Sequence, residues 1–284
     1  MTDSLKFFKA HALGNDYLAL ELADGGGALA PETIVRLCDR HRGIGSDGIL
    51  ARVPSSAADF GLRIFNPDGS EAEKSGNGLR IFAAYLHDRG EAQVGGAFTV
   101  ETPGGVVEMT ILEVAADGTL SVEVEMGRAV FGGAAVGLRG AAGESPTELL
   151  ELPAGDRVEA TLVSLGNPHC VVFTDALDVE ELRRRGPQLA THPAFVHGTN
   201  VQFARVAAEP ATLDALVWER GAGETLASGS SACAVAAAAV RRGLVAERAL
   251  RVRMPGGTLE VEVRPDWSLR LRGPVMPVFR GETL

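Results

Sequence analysis

One pattern limits the fold of this sequence more than any other: the chain repeats itself once. Leu13-Gly14-Asn15 returns 152 residues later as Leu165-Gly166-Asn167. The run GSDGILARV at 45–53 returns 153 residues later as GTNVQFARV at 198–206. Ser75, ahead of a Gly turn and an apolar run, is matched by Ser228, again 153 residues on. Pro103-Gly104-Gly105 is matched by Pro255-Gly256-Gly257. Four matches in one order, at spacings of 152 or 153 residues, mark a duplicated structural unit. The 284 residues divide naturally into two lobes on that reading. The first is expected over residues 1–127, with 277–284 returning to it, and the second over 128–276.

Each copy reads alike. An extended segment with a Gly-Asn turn comes first (FFKAHALGNDYLALEL; RVEATLVSLGNPHCVVF), then a short helical stretch (PETIVRLCDRH; DVEELRRRGPQL). A strand into a turn follows (FGLRIFNPDGS; LDALVWERGAG), then Ser-Gly and a helix, and last a Pro-Gly-Gly hairpin. The alternation in SVEVEM and LEVEVR is the period-2 signal of half-buried strands. The second-copy helix, ACAVAAAAV, is apolar nearly all round, which a helix tolerates only when it is covered on every side. The expected fold is α+β: two pseudo-symmetric lobes, each a mostly antiparallel sheet wrapped around a central helix, so that, if the lobes face each other, both helix starts point into one cleft.

A formal charge of −10 argues against nucleic acid or an anionic membrane as partner, because phosphate backbones demand a basic surface. No run approaches the roughly 20 apolar residues of a membrane span. The opening MTDSLKFFKAHALGND lacks the basic-then-apolar pattern of a leader, so a cytoplasmic, soluble protein is expected. Three cysteines, Cys38, Cys170 and Cys233, give neither a disulfide framework nor a zinc pattern, and reduced thiols fit best. Cys233 reads as a structural core thiol. Cys170, after Asn-Pro-His, is the thiol to test for reactivity.

Ser75 and Ser228 each stand where a helix should begin, and a serine there is ordinarily an N-cap. The duplication adds a second reading. Two helix N-termini facing one cleft could hold a small carboxylate through their exposed N–H groups and dipoles. Gly76, Gly78 and Gly229 would allow close approach. No Gly-Lys-Ser/Thr follows, so neither is a P-loop. Two matched groups flanking one carbon suggest inversion of a stereocentre: one takes a proton from one face and the other delivers a proton to the opposite face.

The blocks HALGNDY (11–17), HRGIGSDG (41–48), FNPDGSEAEKSGNGLR (65–80), LGNPHCV (165–171), GTNVQF (198–203) and ERGAGETLASGSSACA (219–234) together resemble the diaminopimelate epimerase family, from about Phe7 to Pro277. That resemblance implies a cofactor-independent amino-acid epimerase of lysine and peptidoglycan precursor synthesis, with no metal, a small amino-acid substrate and often a homodimer. It implies that Asn15, Asn77 and the backbone of Ser75/Gly76 and Gly229/Ser230 hold the α-carboxylate and α-amine. It implies that Asn66, Asn167, Asn200 and Arg220 hold the distal carboxylate, that Glu219 takes the distal ammonium and that His169 lines the site. For the asparagines the competing reading is turn chemistry.

The family's base and acid are a pair of cysteines, and their positions here carry Ser75 and Ser228. Position 48, often larger in the family, is Gly48. Lys74 and Ser231 depart from the pattern as well, which fits a natural serine branch better than point substitution. A serine hydroxyl is far less acidic than a thiol and normally needs an adjacent base. Two alternatives therefore stand beside epimerisation. One is an amino-acid-binding homologue that does not turn over. The other is a racemase, dehydratase or isomerase of the same fold acting on another amino acid.

Overall fold

Each Leu-Gly turn closes a β-hairpin. A computed structural model describes residues 4–22, 29–141, 145–153 and 155–283; the first three residues of the N-terminal stretch read above lie outside them. Strands β1 (Lys6–Ala12) and β2 (Asn15–Glu21) are antiparallel with Ala12 opposite Asn15, so only Leu13 and Gly14 form the loop. Both take left-handed backbones, φ +56° and +90°. Two central residues at positive φ give a turn that matches the right-handed twist of its strands. The chain continues through α1 (Pro31–Cys38), β3 (Ile49–Val53), β4 (Phe60–Phe65), β5 (Glu71–Ala72), α2 (Gly76–Asp88), β6 (Ala97–Thr102), β7 (Gly105–Val114) and β8 (Leu120–Arg128).

After β9 (Val130–Phe131), a 3-10 turn at Ala134–Val136 and β10 (Thr147–Glu151), the series starts again. It runs through β11 (Arg157–Ser164), β12 (Pro168–Phe173), α3 (Val179–Ala190), β13 (Asn200–Val206), β14 (Thr212–Glu219) and β15 (Gly223–Thr225). Then come α4 (Gly229–Arg241), β16 (Ala249–Met254), β17 (Gly257–Val263) and β18 (Ser268–Glu282). The pairings repeat with the order. β2 runs parallel to β3 and β12 to β13; β4 runs parallel to β6 and β14 to β16. The hairpins β1–β2, β3–β4, β6–β7 and their counterparts β11–β12, β13–β14, β16–β17 are antiparallel.

The chain forms two compact units, Met1–Glu125 with Arg272–Leu284, and Met126–Leu271. In the first, α2 is buried from Gly76 through Leu86. In the second, α4 is buried at Gly229 and from Ser231 through Ala239, and packs on β11, β12, β13, β14, β16 and β17. A helix buried on all faces inside its sheet is the arrangement expected from the sequence, and the α+β class holds. The edge of β1 is covered by the C-terminal half of β18, with Lys6 opposite Glu282. The corresponding edge of β11 is covered by β10, with Thr147 opposite Thr161. The elements β9 and β10 fall at the junction of the repeats, where no duplicated pattern announces them. Among the described residues no helix is long and apolar enough to cross a membrane, and no metal-type cluster of His, Cys, Asp and Glu occurs.

Candidate active site

In the first unit the candidate residues gather where α2 begins. Ser75 is the N-cap, extended at φ −138° and ψ 117°, and its Oγ accepts from the Gly78 N–H at 3.0 Å. The capping role expected of a serine is therefore realised. A Cβ on Gly78 would lie 3.0 Å from Leu50 Cδ2 and 3.2 Å from Ser75 Oγ, so a glycine keeps this turn tight. No acidic residue lies in the first turn, which leaves the positive end of the helix dipole uncompensated by its own sequence.

The side chains at this end form one hydrogen-bonded series. Arg80 is fully buried and its Nη2 donates to Asn77 Oδ1 at 2.8 Å. Asn77 Nδ2 donates to Asn15 Oδ1 at 3.1 Å, and Asn15 Nδ2 donates to Asp47 Oδ2 at 2.8 Å. The same Asp47 oxygen accepts the Asp16 N–H at 3.1 Å. Arg40 Nη2 bridges Asp47 Oδ1 at 2.8 Å and Asp16 Oδ1 at 2.6 Å. Lys9 Nζ meets Asp16 Oδ2 at 2.9 Å and also donates to the Gly45 carbonyl. Burial pushes the Asp16 carboxyl up, but its hydrogen bonds and charge pairing with Arg40 and Lys9 win and hold it below the usual carboxylate range. Asn66 stays in a turn of its own. Its Nδ2 donates to Ser70 Oγ at 2.9 Å and its carbonyl accepts the Gly69 N–H.

Gly48 follows Asp47 with φ +155°, and a Cβ there would stand 2.4 Å from the Phe65 carbonyl oxygen and 2.7 Å from the Tyr17 ring. The space a larger residue would need is filled by backbone and by Tyr17. Glycine at this position is thus a requirement of the local packing.

In the second unit Ser228 caps α4 with nearly the same backbone, φ −143° and ψ 124°, but makes no side-chain capping bond. Gly229 and Ser230 open the helix. His169 is fully buried on β12. Its Nε2 lies 3.0 Å from Asn167 Oδ1, and Gln202 Nε2 reaches both His169 Nδ1 at 3.0 Å and Ser231 Oγ at 2.9 Å. Because the amide of Gln202 donates to Nδ1, the imidazole is neutral with its proton on Nε2. Burial pulls His169 down to about 3, with the nearby Arg220 charge adding to the effect and the Gln202 bond opposing it. Asn200 Oδ1 accepts the Arg220 N–H at 3.0 Å, while its Nδ2 donates to the Pro168 carbonyl at 3.2 Å. Arg220 Nη1 donates to the His197 carbonyl at 2.9 Å, and Glu219 ends β14.

One expectation is corrected. Cys170 was the thiol to test for reactivity, yet it is wholly buried and desolvation pushes it up to about 12. It lies in mid-strand, paired to Leu162 on one side and Val201 on the other. Cys233 is buried and in no disulfide, as expected. Sequence reading missed Asp47, Arg80, Arg40 and Gln202. The repeat itself held the signal for Asp47, which stands 153 residues before Asn200. Each of the two ties down the residue that follows the turn asparagine, Asp47 through the N–H of Asp16 and Asn200 through the carbonyl of Pro168.

The family described as "Diaminopimelate epimerase" matches this chain over residues 7–132 and 161–276. "Diaminopimelate epimerase 2" of Nostoc sp. is 44% identical over 279 residues, covering 98% of this chain and 95% of the relative. "Diaminopimelate epimerase" of Desulforudis audaxviator is 43% identical over 289 residues, covering 98% and 99%. Among solved structures, a probable proline racemase from Agrobacterium radiobacter superposes with a TM-score of 0.70 at 16% identity, covering 99% of this chain and 93% of that one. A predicted epimerase from Pseudomonas aeruginosa gives 0.66 at 22% identity, covering 99% of each. These two likenesses establish a shared fold. The family match and the near-full-length identities place the chain in the diaminopimelate epimerase family.

Proposed function

We propose that this protein is a cofactor-independent amino-acid epimerase that converts LL-2,6-diaminopimelate to the meso form, with Ser75 and Ser228 as the two proton-transferring groups. The carrying observation is the identity above 40% to named diaminopimelate epimerases across nearly the whole chain. The site residues support the same reading. Two helices begin at Ser-Gly in matching extended caps, and neither carries an acidic residue in its first turn. Such helix ends stabilise a carboxylate and the enolate-like charge that develops when its α-proton leaves. Asn15, Gly76 and Asn77 hold the group at the reacting carbon, with Gly229 and Ser230. Asn66, Asn167, Asn200, Glu219 and Arg220 hold the distal end, and His169 stays uncharged beside them. Arg220 is exposed just past the end of β14, with a guanidinium suited to a bidentate carboxylate. A homodimer and a cytoplasmic setting belong to the same reading, the latter supported by three buried cysteines in no disulfide.

A second reading has its own observation. Among the described residues neither serine hydroxyl is hydrogen-bonded to an imidazole or a carboxylate, and a serine without a base is a poor proton acceptor. On that reading the protein binds diaminopimelate and does not turn it over. One experiment separates the two. LL-diaminopimelate is incubated in D2O with the protein at high concentration, and loss of the α-proton signal is followed by NMR. Exchange supports the epimerase; its absence, with calorimetric binding intact, supports the binding protein. Absence of both removes diaminopimelate as the ligand.

A further inference from the structure

The series Arg80–Asn77–Asn15–Asp47 has an unusual property: its two ends fix the direction of everything between them. A guanidinium has only donors, and an ionised carboxylate has only acceptors. Arg80 therefore requires Asn77 to present Oδ1 to it, which turns Asn77 Nδ2 toward Asn15. Asp47 requires Asn15 to present Nδ2, which turns Asn15 Oδ1 toward Asn77. Both amides are thus assigned from the two ends independently, and the assignments agree. Asn15 is left with its second Nδ2 hydrogen.

The second unit shows that the fold does not need these charges. It closes the corresponding hairpin with a three-residue loop, Leu165-Gly166-Asn167, and builds the same 13-residue helix, with Cys233 where the first has Arg80 and Asn200 where the first has Asp47. A fully buried guanidinium is expensive to desolvate. One copy carries it and the other folds without it, so its role lies outside the shared architecture.

We propose that Arg80 and Asp47 are positioning residues for substrate binding. They lock the amides of Asn77 and Asn15 so that the remaining Asn15 N–H is offered to a carboxylate, the anionic group at the reacting carbon. This rests on the epimerase-family reading, in which Asn15 and Asn77 hold that end of the substrate. Neither residue touches the substrate; each acts through an asparagine.

The test is a thermodynamic cycle read by calorimetry with LL-diaminopimelate on the full-length protein. Arg80→Met keeps a long unbranched side chain and removes the donors; it is expected to weaken binding about tenfold, the scale of a hydrogen bond to a charged group. Asn15→Ala is expected to do the same. In the Asn15→Ala background, Arg80→Met is expected to add less than about twofold, because the residue it positions is gone. Arg80→Lys, still a donor-only cation, is expected to stay within about threefold of the parent. Asp47→Asn, more exposed and safer for folding, is expected to weaken binding and to lose its effect in the same background. If Arg80→Met and Asp47→Asn bind like the parent, or if their losses multiply with that of Asn15→Ala, the positioning role is wrong while the family reading stands. If the unmodified protein binds no diaminopimelate, the family reading falls, and this assignment falls with it. Should Arg80→Met lose its far-UV circular dichroism, the Asp47→Asn cycle decides alone.

Discussion

Helix α2 leaves Ser75 at φ −138° and ψ 117°, and α4 leaves Ser228 at φ −143° and ψ 124°; both then run for 13 residues inside a sheet of the same strand order. Around these matching backbones the side chains diverge. The start of α2 is set by charge: a buried Arg80, and beyond the two asparagines the Asp47–Arg40–Asp16–Lys9 cluster. The start of α4 is set by neutral groups, with Gln202 joining His169 to Ser231. The helix bodies differ too. Leu79, Ile81, Phe82 and Leu86 fill the first sheet, while alanines at 232, 234, 236–239 fill the second. Duplication has preserved what a helix N-terminus offers through its backbone, with the serine cap and the turn asparagine, and has let the buried side chains around it diverge. Each unit has then found its own way to orient polar groups in a dry setting.

The largest expected effect comes from putting thiols on both helix starts. Ser75→Cys with Ser228→Cys is expected to raise α-proton exchange of diaminopimelate at least about 100-fold, since a helix N-terminus can bring a thiol to thiolate near neutral pH and does nothing comparable for a serine. The single variants sharpen the contrast. The Ser75→Cys thiol would sit at the Gly78 N–H that Ser75 Oγ now accepts, on the helix that carries the buried Arg80; the Ser228→Cys thiol would start a helix whose own polar network is neutral. Iodoacetamide alkylation against pH is expected to give the lower midpoint for Ser75→Cys. Equal midpoints would mean that the charge under α2 does not reach the reacting position. The native thiols give little background, all three being buried and Cys170 held at about 12.

Reciprocal substitutions in the helix bodies rank next. Leu86 and Ala239 occupy equivalent positions 153 residues apart, and both are fully buried. Leu86→Ala is expected to lower stability by about 2–5 kcal/mol through the cavity it leaves. Ala239→Leu is expected to lower it by about 1–3 kcal/mol by overpacking. Urea unfolding measures both. A neutral Ala239→Leu would show that the second unit holds spare volume, and that the alanines do not reflect a closer fit of sheet to helix.

How much of this was legible in the sequence follows from the same contrast. The repeat gave away the element order, the hairpins at Leu-Gly and Pro-Gly-Gly, and the caps at Ser75 and Ser228, because local periodicity and turn chemistry encode all of these. It did not give away the second layer of polar residues. Asn15 meets Asp47 across 32 residues and Asn77 across 62, and no local pattern marks such partners. Arg80 reads as an ordinary helix residue until burial is known, and Gln202 as a polar break in an apolar strand. Cys170 misled for a related reason. Its neighbours in sequence are polar candidates, but its neighbours in space are sheet and core. For Asn66 the sequence allows two readings, turn and pocket, and the turn is visible in its bonds to Ser70 and Gly69.

The neutral network of the second unit should show itself in pH. His169 is held at about 3 when folded, against roughly 6.5 in an unfolded chain. The unfolded chain therefore takes up a proton that the folded one refuses. This stability is fully present above about pH 6.5, falls as the pH drops, and levels off near 3. Between pH 7 and 5 the loss is expected to be on the order of 2 kcal/mol, at about 1.4 kcal/mol per unit once below the unfolded value. Asp16, held below 3.8, makes its contribution at lower pH. The pH 7 to 5 window thus isolates the second unit. His169→Gln is expected to flatten the stability profile across it, and a profile unchanged by that substitution would contradict a neutral, buried imidazole.

The smallest expected effect is the most direct reading of the two helix starts. Ser75 Oγ accepts the Gly78 N–H and Ser228 makes no such bond. Replacing a capping serine by alanine costs about 1 kcal/mol, and replacing one that does not cap costs only what its burial and backbone preference contribute. Ser75→Ala is expected to lower the unfolding free energy by about 1 kcal/mol, and Ser228→Ala by less than about 0.5 kcal/mol. Equal losses would mean that Ser228 caps α4 in solution, leaving both hydroxyls equally engaged. Unequal losses in this direction would leave Ser228 as the hydroxyl free to turn toward a ligand. Ser75 would then act with its oxygen already bonded, and so as a donor first.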